Sequence, residues 1–486
     1  EGGSVVVQSS AGNVNINAIG YHGIYLSNAS TTIRAYGDLN INALASTLIA
    51  IYGEASGTCA TSQCGLISDT GNITINAISK DNSAYGYYAY YLRNPVVANG
   101  TGAGKGNVYI SATGKYGGIY GDGGTVAYVK AQGNVDLIGY GGASGGYGIA
   151  MVSAGPSLTS NSAGGLVRST AGNITISAYT AWDLAFYTGS TSANYVALAG
   201  NITIQGSTLS SNSGDALSTA NTAIDNAYTS IYTAISGAAN PRTATATGFA
   251  TANAGTASTG KYWGVQLKSN FFAVNNPYTV AGGTAPSSGG TITIAGSVLN
   301  AVTPTTVDTG AGVTFWDGSN VYAYGAVDVA GYGIGGRTVA DGVNASTGAN
   351  HGLVIWGTTT TIRSFSSSVS LAGYANGYLT AANYTTNLES AGILIYSDAN
   401  LIRGYTNVSL TGIDMRGIGI YLAVYSTGSN GIVADTGSVT IKSINNNSNW
   451  YSTYIRQSVT ATAGSVNINA AGQFGLCLDS DQSVIT

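Results

Sequence analysis

A seven-residue module, GNVNINA at residues 12–18, decides the fold of this chain. After the Gly-Asn pair, apolar and polar residues alternate up to a small final residue, which is the period of a half-buried β-strand. The Gly-Asn pair itself is typical of a tight turn. The module therefore predicts a short strand that leaves a turn and buries one face.

Twelve further copies of this module follow along the chain, most of them 25 to 42 residues apart. They begin at Gly37, Gly71, Gly106, Gly133, Gly172, Gly200, Gly290, Gly325, Ser367, Thr406, Gly437 and Gly464. Repeats of this length are typical of solenoids, in which each unit buries its apolar face only by stacking on its neighbours.

A second repeat lies upstream of the first and supplies two more strands. The sequences GIYLSNASTTIRAYGDL, GLVIWGTTTTIRSFSSSV and GILIYSDANLIRGYTNV begin at Gly23, Gly352 and Gly392. Each rung thus has three short strands, the arrangement of a parallel β-helix. We predict an all-β, right-handed β-helix of about 13 rungs, since parallel crossovers are right-handed. At about 4.8 Å per rung its length is roughly 60 Å.

The long interval after Gly200 predicts an insertion at 207–289 between two parts of one continuous solenoid, 1–206 and 290–486. Apolar residues at steps of three and four predict an amphipathic helix over about 214–236, followed by a polar loop. The helix either lies along the rod or contacts a neighbouring chain. Its candidate contact residues are Leu217, Ile224, Tyr228, Ile231 and Ile235.

Composition excludes several classes of protein. Charged residues are 7% of the chain, against roughly 25% in typical soluble proteins. The net charge is −4 and Lys and Arg are not clustered, so we expect no nucleic-acid partner. No apolar run is long enough to span a membrane. The chain has no apparent signal peptide, and we expect a mature or trimmed piece.

Cysteine usage carries one structural prediction. Cys59 and Cys64 lie in the polar stretch SGTCATSQCG, where an oxidising compartment would allow them to close a small loop. The alternative is two unpaired thiols. Cys477 lies in a strand-like run and is expected to be a small buried residue.

Catalytic chemistry on a β-helix would need carboxylates close together on one face. The candidates are Asp122, Asp136, Asp317, Asp328 and Asp341, and only Asp317 and Asp328 are placed for a pair on neighbouring strands. Glycine-rich stretches such as GDGG are too irregular for a calcium-binding repeat. We therefore predict no catalytic residue, no metal and no cofactor, with a polysaccharide-acting enzyme as the alternative.

The Ile-Arg-x-aromatic strands place an arginine and a ring on one outer face, where they can stack. This pattern predicts either a ladder that stabilises the stack or a stripe that binds a glycan or another partner. The candidate surface-contact residues are Arg34, Tyr36, Arg363, Phe365, Arg403 and Tyr405.

Taken together, the GNVNINA and GIYL-type modules resemble the haemagglutinin-type repeats of filamentous-haemagglutinin-like exoproteins, with autotransporter passenger domains as relatives. The resemblance covers most of the chain outside the insertion. It implies a secreted β-helix at the surface of a Gram-negative bacterium, serving as a stalk or fibre in attachment. The chain departs from the family in lacking its Asn-Pro-Asn secretion motifs, in its unequal rungs, and in its tyrosine content and insertion.

Both ends of the chain read as unfinished rungs without a capping helix. Uncapped rungs expose strand edges that invite pairing. Two hypotheses follow: subunits stack end to end into a filament, or the rod continues into a longer chain.

Overall fold

The computed structural model describes the chain except for a set of terminal and loop segments. These are 1–4, 27–30, 54–63, 80–86, 115, 125–126, 142–145, 159–163, 181–183, 210–261, 282, 300–309, 338–349, 358, 380–389, 397–399, 415–416, 423–430, 446–450 and 480–484. The predicted helix at 214–236, with its residues Leu217, Ile224, Tyr228, Ile231 and Ile235, lies outside the described residues.

Three parallel sheets of thirteen strands each make up the described fold, with the strands numbered along the chain. Sheet A contains β1 (Val6–Ser9), β4 (Thr32–Ala35), β7 (Gly65–Ser68), β10 (Val96–Ala98), β13 (Val129–Ala131), β16 (Val167–Ser169), β19 (Asn194–Ala197), β22 (Asn270–Ala273), β25 (Asn320–Ala323), β28 (Thr361–Ser364), β31 (Leu401–Gly404), β34 (Gly431–Ala434) and β37 (Val459–Ala461). Sheet B contains β2 (Val14–Gly20), β5 (Leu39–Ala45), β8 (Ile73–Ser79), β11 (Val108–Gly114), β14 (Val135–Gly141), β17 (Ile174–Thr180), β20 (Ile202–Leu209), β23 (Ile292–Leu299), β26 (Val327–Arg337), β29 (Val369–Leu379), β32 (Val408–Asp414), β35 (Val439–Asn445) and β38 (Val466–Ala471). Sheet C contains β3 (Ile24–Leu26), β6 (Ile51–Gly53), β9 (Tyr88–Leu92), β12 (Gly117–Gly121), β15 (Ile149–Met151), β18 (Leu184–Thr188), β21 (Tyr262–Leu267), β24 (Gly310–Trp316), β27 (Asn350–Trp356), β30 (Ser390–Tyr396), β33 (Ile418–Leu422), β36 (Tyr451–Ile455) and β39 (Phe474–Leu478).

Each rung consists of one strand from sheet A, one from sheet B and one from sheet C, in that order along the chain. Each strand of the first twelve rungs pairs with the strand three places later, so the chain advances by one layer per turn. The fold is a right-handed parallel β-helix of 13 rungs, as predicted. The thirteen copies of the GNVNINA module are the thirteen strands of sheet B.

The segment 207–289 contributes to the solenoid at both of its ends. Strand β20 runs to Leu209, and β21 and β22 join sheets C and A within this segment. A short helix, α1 (Pro277–Ala281), follows β22. The chain therefore returns to the rod at Tyr262, well before the next copy of the module at Gly290.

The core consists of the inward-facing residues of all three sheets, which form columns along the rod. In sheet B one such column runs from Ile41 through Ile75 and Ile110 to Ile441, and its described members are at most 2% exposed. Burying an isoleucine side chain contributes about 1.5–3 kcal/mol. Because each rung repeats this burial, stability comes from stacking and is shared along the rod.

The Gly-Asn turns are joined by a ladder of side-chain to backbone hydrogen bonds. The backbone N–H of Asn173 donates to Oδ1 of Asn134 one rung earlier, at 2.8 Å. Asn173 Oδ1 in turn accepts from the N–H of Asn201. The same bond, at 2.7–2.9 Å, links Asn13, Asp38, Asn72, Asn107, Asn134, Asn173, Asn201 and Thr291 in succession. The asparagine of the module is therefore an acceptor for the next rung.

The glycine of the turn is required because the ladder passes directly beside it. A Cβ on Gly172 would lie 2.5 Å from Asn134 Oδ1 and 2.5 Å from the carbonyl carbon of Gly133. A Cβ on Gly437 would lie 2.4 Å from Asn407 Oδ1. A side chain at this position would push the asparagine of the preceding rung out of its hydrogen bond.

A second set of glycines allows sheets B and C to meet closely. A Cβ on Gly296 in β23 would lie 1.9 Å from the carbonyl oxygen of Gly312 in β24. Gly373 stands in the same relation to Gly392, at 1.8 Å. These glycines explain why the module ends in a small residue and why the sheet C strands carry Gly before their apolar residues.

Replacing Gly172 by Ala is expected to lower the stability of the rod by about 1–3 kcal/mol, because backbone and Asn134 must both move. The measurement is the urea or thermal unfolding midpoint. Gly12→Ala is the matched control, since the nearest atom to its added Cβ is Ser9 Oγ at 3.6 Å. That control is expected to be neutral or slightly stabilising. Equal midpoints for the two variants would show that the turn tolerates a Cβ.

Candidate functional site

The predicted Arg-x-aromatic strands lie on the outer face of sheet A, and two of the three arginines bind a carboxylate. Arg34 Nε and Nη2 donate to the two carboxylate oxygens of Asp69, at 2.8 and 2.9 Å. Arg403 binds Asp435 at 2.9 Å. The bond to Asp69 raises the pKa of Arg34. In both cases the aspartate follows the sheet A strand of the next rung.

The same two rungs share a second contact, made by an Asp-Thr-Gly sequence. Thr70 Oγ1 donates to the carbonyl oxygen of Tyr36 at 2.6 Å, and Thr436 Oγ1 donates to that of Tyr405 at 2.7 Å. Tyr36 and Tyr405 are 48% and 45% exposed. Sequence reasoning missed these aspartates, although the sequence Asp-Thr-Gly, whose glycine is the first residue of the module at Gly71 and at Gly437, was a visible signal.

The third arginine is arranged differently. The Arg363 guanidinium carbon lies 4.2 Å from the centre of the Phe365 ring, a cation–π contact. Arg363 is in register with Arg403 on the next rung. Burial, and then the Arg403 charge, lower the pKa of Arg363. The structure thus brings Arg363, Phe365 and Arg403 together and keeps Arg34 and Tyr36 on a distant rung.

Sheet C carries a column of tyrosines on its outer face that the sequence analysis did not identify as one surface. Tyr25, Tyr52, Tyr91 and Tyr120 occupy the same position on four consecutive rungs. The rings of Tyr25 and Tyr52 are stacked, with centroids 5.1 Å apart and an interplanar angle of 13°. The rings between Tyr52 and Tyr120 are tilted or edge-on at 5.5 and 5.6 Å.

Arg93 is fixed at the centre of this column. Its Nε and Nη2 donate to the Asp122 carboxylate at 2.5 and 2.6 Å, and its Nη1 donates to the Tyr52 hydroxyl at 2.6 Å. Its guanidinium also lies 5.1 Å from the Tyr52 ring centre and 5.2 Å from that of Tyr91. The guanidinium of Arg93 therefore has hydrogen-bond acceptors in Asp122 and Tyr52 and also contacts two aromatic rings. The Asp122 carboxylate is occupied by this ion pair.

The Tyr-x-Arg pattern recurs near the other end of the rod. Arg456 Nη2 binds the Asp479 carboxylate at 2.5 Å and the Tyr454 hydroxyl at 2.8 Å. Tyr454 also donates to Asp479. As with Arg93, the arginine lies two residues after a tyrosine. The aspartate lies at the equivalent position of the next rung.

A second aromatic column lies at the carboxyl ends of sheet C strands on three consecutive rungs. Trp316 and Trp356 are stacked at 6.2 Å and 14°, and Trp356 and Tyr396 at 4.8 Å and 24°. Trp356 is 41% and Tyr396 is 45% exposed. Because these rings cover one another's faces, the column presents mainly ring edges to solvent. The geometry favours stabilisation between rungs over a stacking platform for a flat ligand.

The four candidate carboxylates that the structure describes lie on four different rungs. Asp122 is bound to Arg93, and Asp136 and Asp328 lie four rungs apart in sheet B, about 19 Å. Asp317 follows a sheet C strand and lies 3.7 Å from Lys268 Nζ, whereas Asp328 is in sheet B. Asp341 lies outside the described residues. No three His, Cys, Asp or Glu residues of the described chain are grouped as a metal site would require.

The cysteine prediction falls partly on described residues. Cys64 is disulfide-bonded and 7% exposed, whereas Cys59 lies outside the described residues. Cys477 is a free thiol in β39 and is half-buried, because it faces outward from the last rung. Within the described chain, no helix is long and apolar enough to cross a membrane.

Comparison with known proteins adds no relative. No family model matches the chain, and neither the curated proteins nor the solved structures contain a match.

The Arg93–Asp122 pair is expected to couple by about 1–3 kcal/mol, because its two hydrogen bonds are charge-assisted and its side chains are only 19% and 21% exposed. The measurement is a double-mutant cycle on unfolding free energy with Arg93→Met and Asp122→Asn. Lys268 and Asp317 form the control pair, more exposed and 3.7 Å apart, with an expected coupling of about 0–1 kcal/mol. A coupling no larger than that of the control would contradict a structural role for the Arg93 contacts.

Proposed function

We propose that the chain is a structural segment of an extracellular adhesive fibre, a rod that is lengthened by adding rungs at its ends. The observation that carries this proposal is the state of the terminal rungs. Core residues of the inner rungs are almost fully buried, whereas Val14 and Ile16 in rung 1 and Val466 and Ile468 in rung 13 are only half-buried. Half-buried apolar side chains at both ends, and strand edges that remain unpaired apart from the sheet A edge of rung 13 beside Ile485, favour the addition of another layer.

The two terminal rungs are also matched in sequence. Both sheet B strands begin Val-Asn-Ile-Asn-Ala, at residues 14–18 and 466–470. Between rungs 1 and 2, Asn40 and Asn42 donate to Asn15 and Asn17 at 2.9 Å. A layer resembling rung 1, placed on rung 13, would extend the valine and isoleucine columns of the core.

The outer asparagines support the same join. Asn467 and Asn469 follow Thr440 and Lys442 in register, at the positions that Asn15 and Asn17 occupy in rung 1. They are exposed, so their amides are available to a further layer. Ile485 already forms a parallel bridge to Val459 above sheet A. The added layer comes either from a second copy of the chain or from a continuation of the same chain.

Three properties of the chain support an extracellular, adhesive role. A disulfide at Cys64 is typical of an oxidising compartment. The low charge of the chain weakens repulsion between copies. The repeat resembles those of filamentous-haemagglutinin-like exoproteins, which serve as stalks or fibres of Gram-negative bacteria. The predicted role is non-catalytic.

Electron microscopy of the purified chain in native buffer tests end-to-end assembly. Fibres with an axial repeat of about 60 Å are expected. Ile468→Lys places a charge in the proposed joint and should leave single rods. Ile444→Lys is the control, because Ile444 is 43% exposed on the side of the rod, and it should keep the fibres. If the wild-type protein forms only single rods at all concentrations, the hypothesis of end-to-end self-assembly is wrong. The hypothesis that the rod continues within a longer chain would then remain.

A partner-binding role of the outer face is the second candidate, favoured by Arg363, which is bound to a ring and not to a carboxylate. If this surface binds a glycan, Arg363→Ala should abolish binding to a glycan array. Arg34→Ala should leave binding unchanged, since Arg34 lies on a distant rung and is occupied by Asp69. Equal binding by wild type and Arg363→Ala would remove this face from consideration.

A further inference from the structure

The outer face of sheet A is covered over its middle rungs. Outward-facing Ile67, Val97, Val196 and Phe272 are at most 5% exposed, although they point away from the core of the solenoid. Val196 and Phe272 belong to a cluster that includes Val280 of helix α1 and is contacted by Leu158. The segments that cross this face make it a second apolar environment.

Two basic residues interrupt this covered strip. Lys130 and Arg168 occupy the same outward position on adjacent strands of sheet A, about 4.8 Å apart at the backbone. Val97 precedes them in the column and Val196 follows them. Arg168 is 8% exposed, and its Nε and Nη1 are buried without a hydrogen-bond partner.

The absence of a carboxylate distinguishes Arg168 from most arginines that the structure describes. Leu198, the residue after β19, stands where Asp69 and Asp435 stand relative to Arg34 and Arg403. Four other arginines each bind an aspartate of the next rung: Arg34, Arg93, Arg403 and Arg456. At Arg168 the acceptor position is apolar, and the described residues supply no counter-charge there.

Two adjacent cations in an apolar strip are electrostatically unfavourable. Burial, and then the neighbouring Arg168 charge, lower the pKa of Lys130, and burial lowers the pKa of Arg168. Removing a charge from water without pairing it is energetically unfavourable. An anion between the two side chains would satisfy the buried N–H groups of Arg168 and offset the repulsion. Lys130 is only half-buried, so the pair is accessible to solvent from its side.

We propose that Lys130 and Arg168 form a binding site for an oxyanion: a carboxylate, phosphate or sulfate group. The planar guanidinium supplies several donors in fixed directions, and the lysine ammonium supplies a second positive charge. Val97 and Val196 exclude water on both sides, which strengthens each charge-assisted bond. A bound anion would also fix the segments that cover this face.

Equilibrium dialysis of the full chain with labelled inorganic sulfate tests the site directly. The wild type should bind one sulfate, and Arg168→Met, which keeps the apolar stem, should weaken binding by about tenfold or more. Lys130→Met should weaken it similarly. Lys105→Met is the control, because Lys105 is exposed, and it should bind as the wild type does. An oligosaccharide of uronic acids that displaces the label would identify a glycan carboxylate as the ligand group; failure to displace it would point to a free inorganic anion.

Thermal unfolding in sulfate-free buffer supplies an independent measurement. Arg168→Met should unfold at a higher temperature than the wild type, because it removes an unpaired buried charge. Added sulfate should reduce the difference in unfolding temperature between the two proteins, since sulfate binding stabilises only the wild type. Equal sulfate binding by wild type and Arg168→Met, or no binding by the wild type in the millimolar range, would overturn the proposal.

Discussion

In rungs 2–8, 12 and 13, the backbone N–H of the residue after the first position of the turn donates to a side chain of the rung before it, and the stacking of these rungs depends on this bond. It fixes the order of the layers, because an asparagine in one turn contacts the same position in the next turn and no other. It also requires the glycine, since the accepting oxygen passes where a Cβ would be. Where the turn of a rung is fixed in this way, the three strands are held in register with those of the neighbouring rung. The columns of valine and isoleucine can then stack without gaps.

Side-chain contacts on the surface also join consecutive rungs, although the chain has fewer charged residues than most proteins. Arginines meet aspartates one rung away, tyrosines and tryptophans stack along the axis, and asparagines pair with asparagines. Each of these contacts lies between consecutive rungs and reinforces the direction in which the backbone hydrogen bonds already run. The Lys130–Arg168 pair differs from these contacts. Its two side chains lie in register on adjacent rungs, but both are cationic and no aspartate of the described residues pairs with Arg168.

The fold could be predicted from sequence because the turn and the strand of the module are adjacent in the chain. The sequence GNVNINA contains the turn residues, the alternating apolar and polar residues of the strand, and the small residue that ends it. Each of the thirteen copies could therefore be located separately. The aspartates that bind Arg34 and Arg93 could not be assigned in the same way, because they lie 35 and 29 residues downstream. Rungs of unequal length hide which residues share a column. Strands β21 and β22 escaped notice for a related reason: Tyr262–Leu267 and Asn270–Ala273 lack the Gly-Asn signature and follow a long interruption.

The alignment of every ladder with the long axis has a mechanical consequence. If the rod is pulled by its ends, the load acts parallel to the hydrogen bonds between strands. In this direction the bonds of a layer open one after another instead of shearing together. A tethered rod would therefore unfold rung by rung, starting at its weakest layer. Each unfolded rung would lengthen the chain while the remaining layers stay folded. Such behaviour absorbs a sudden pull without the whole structure coming apart.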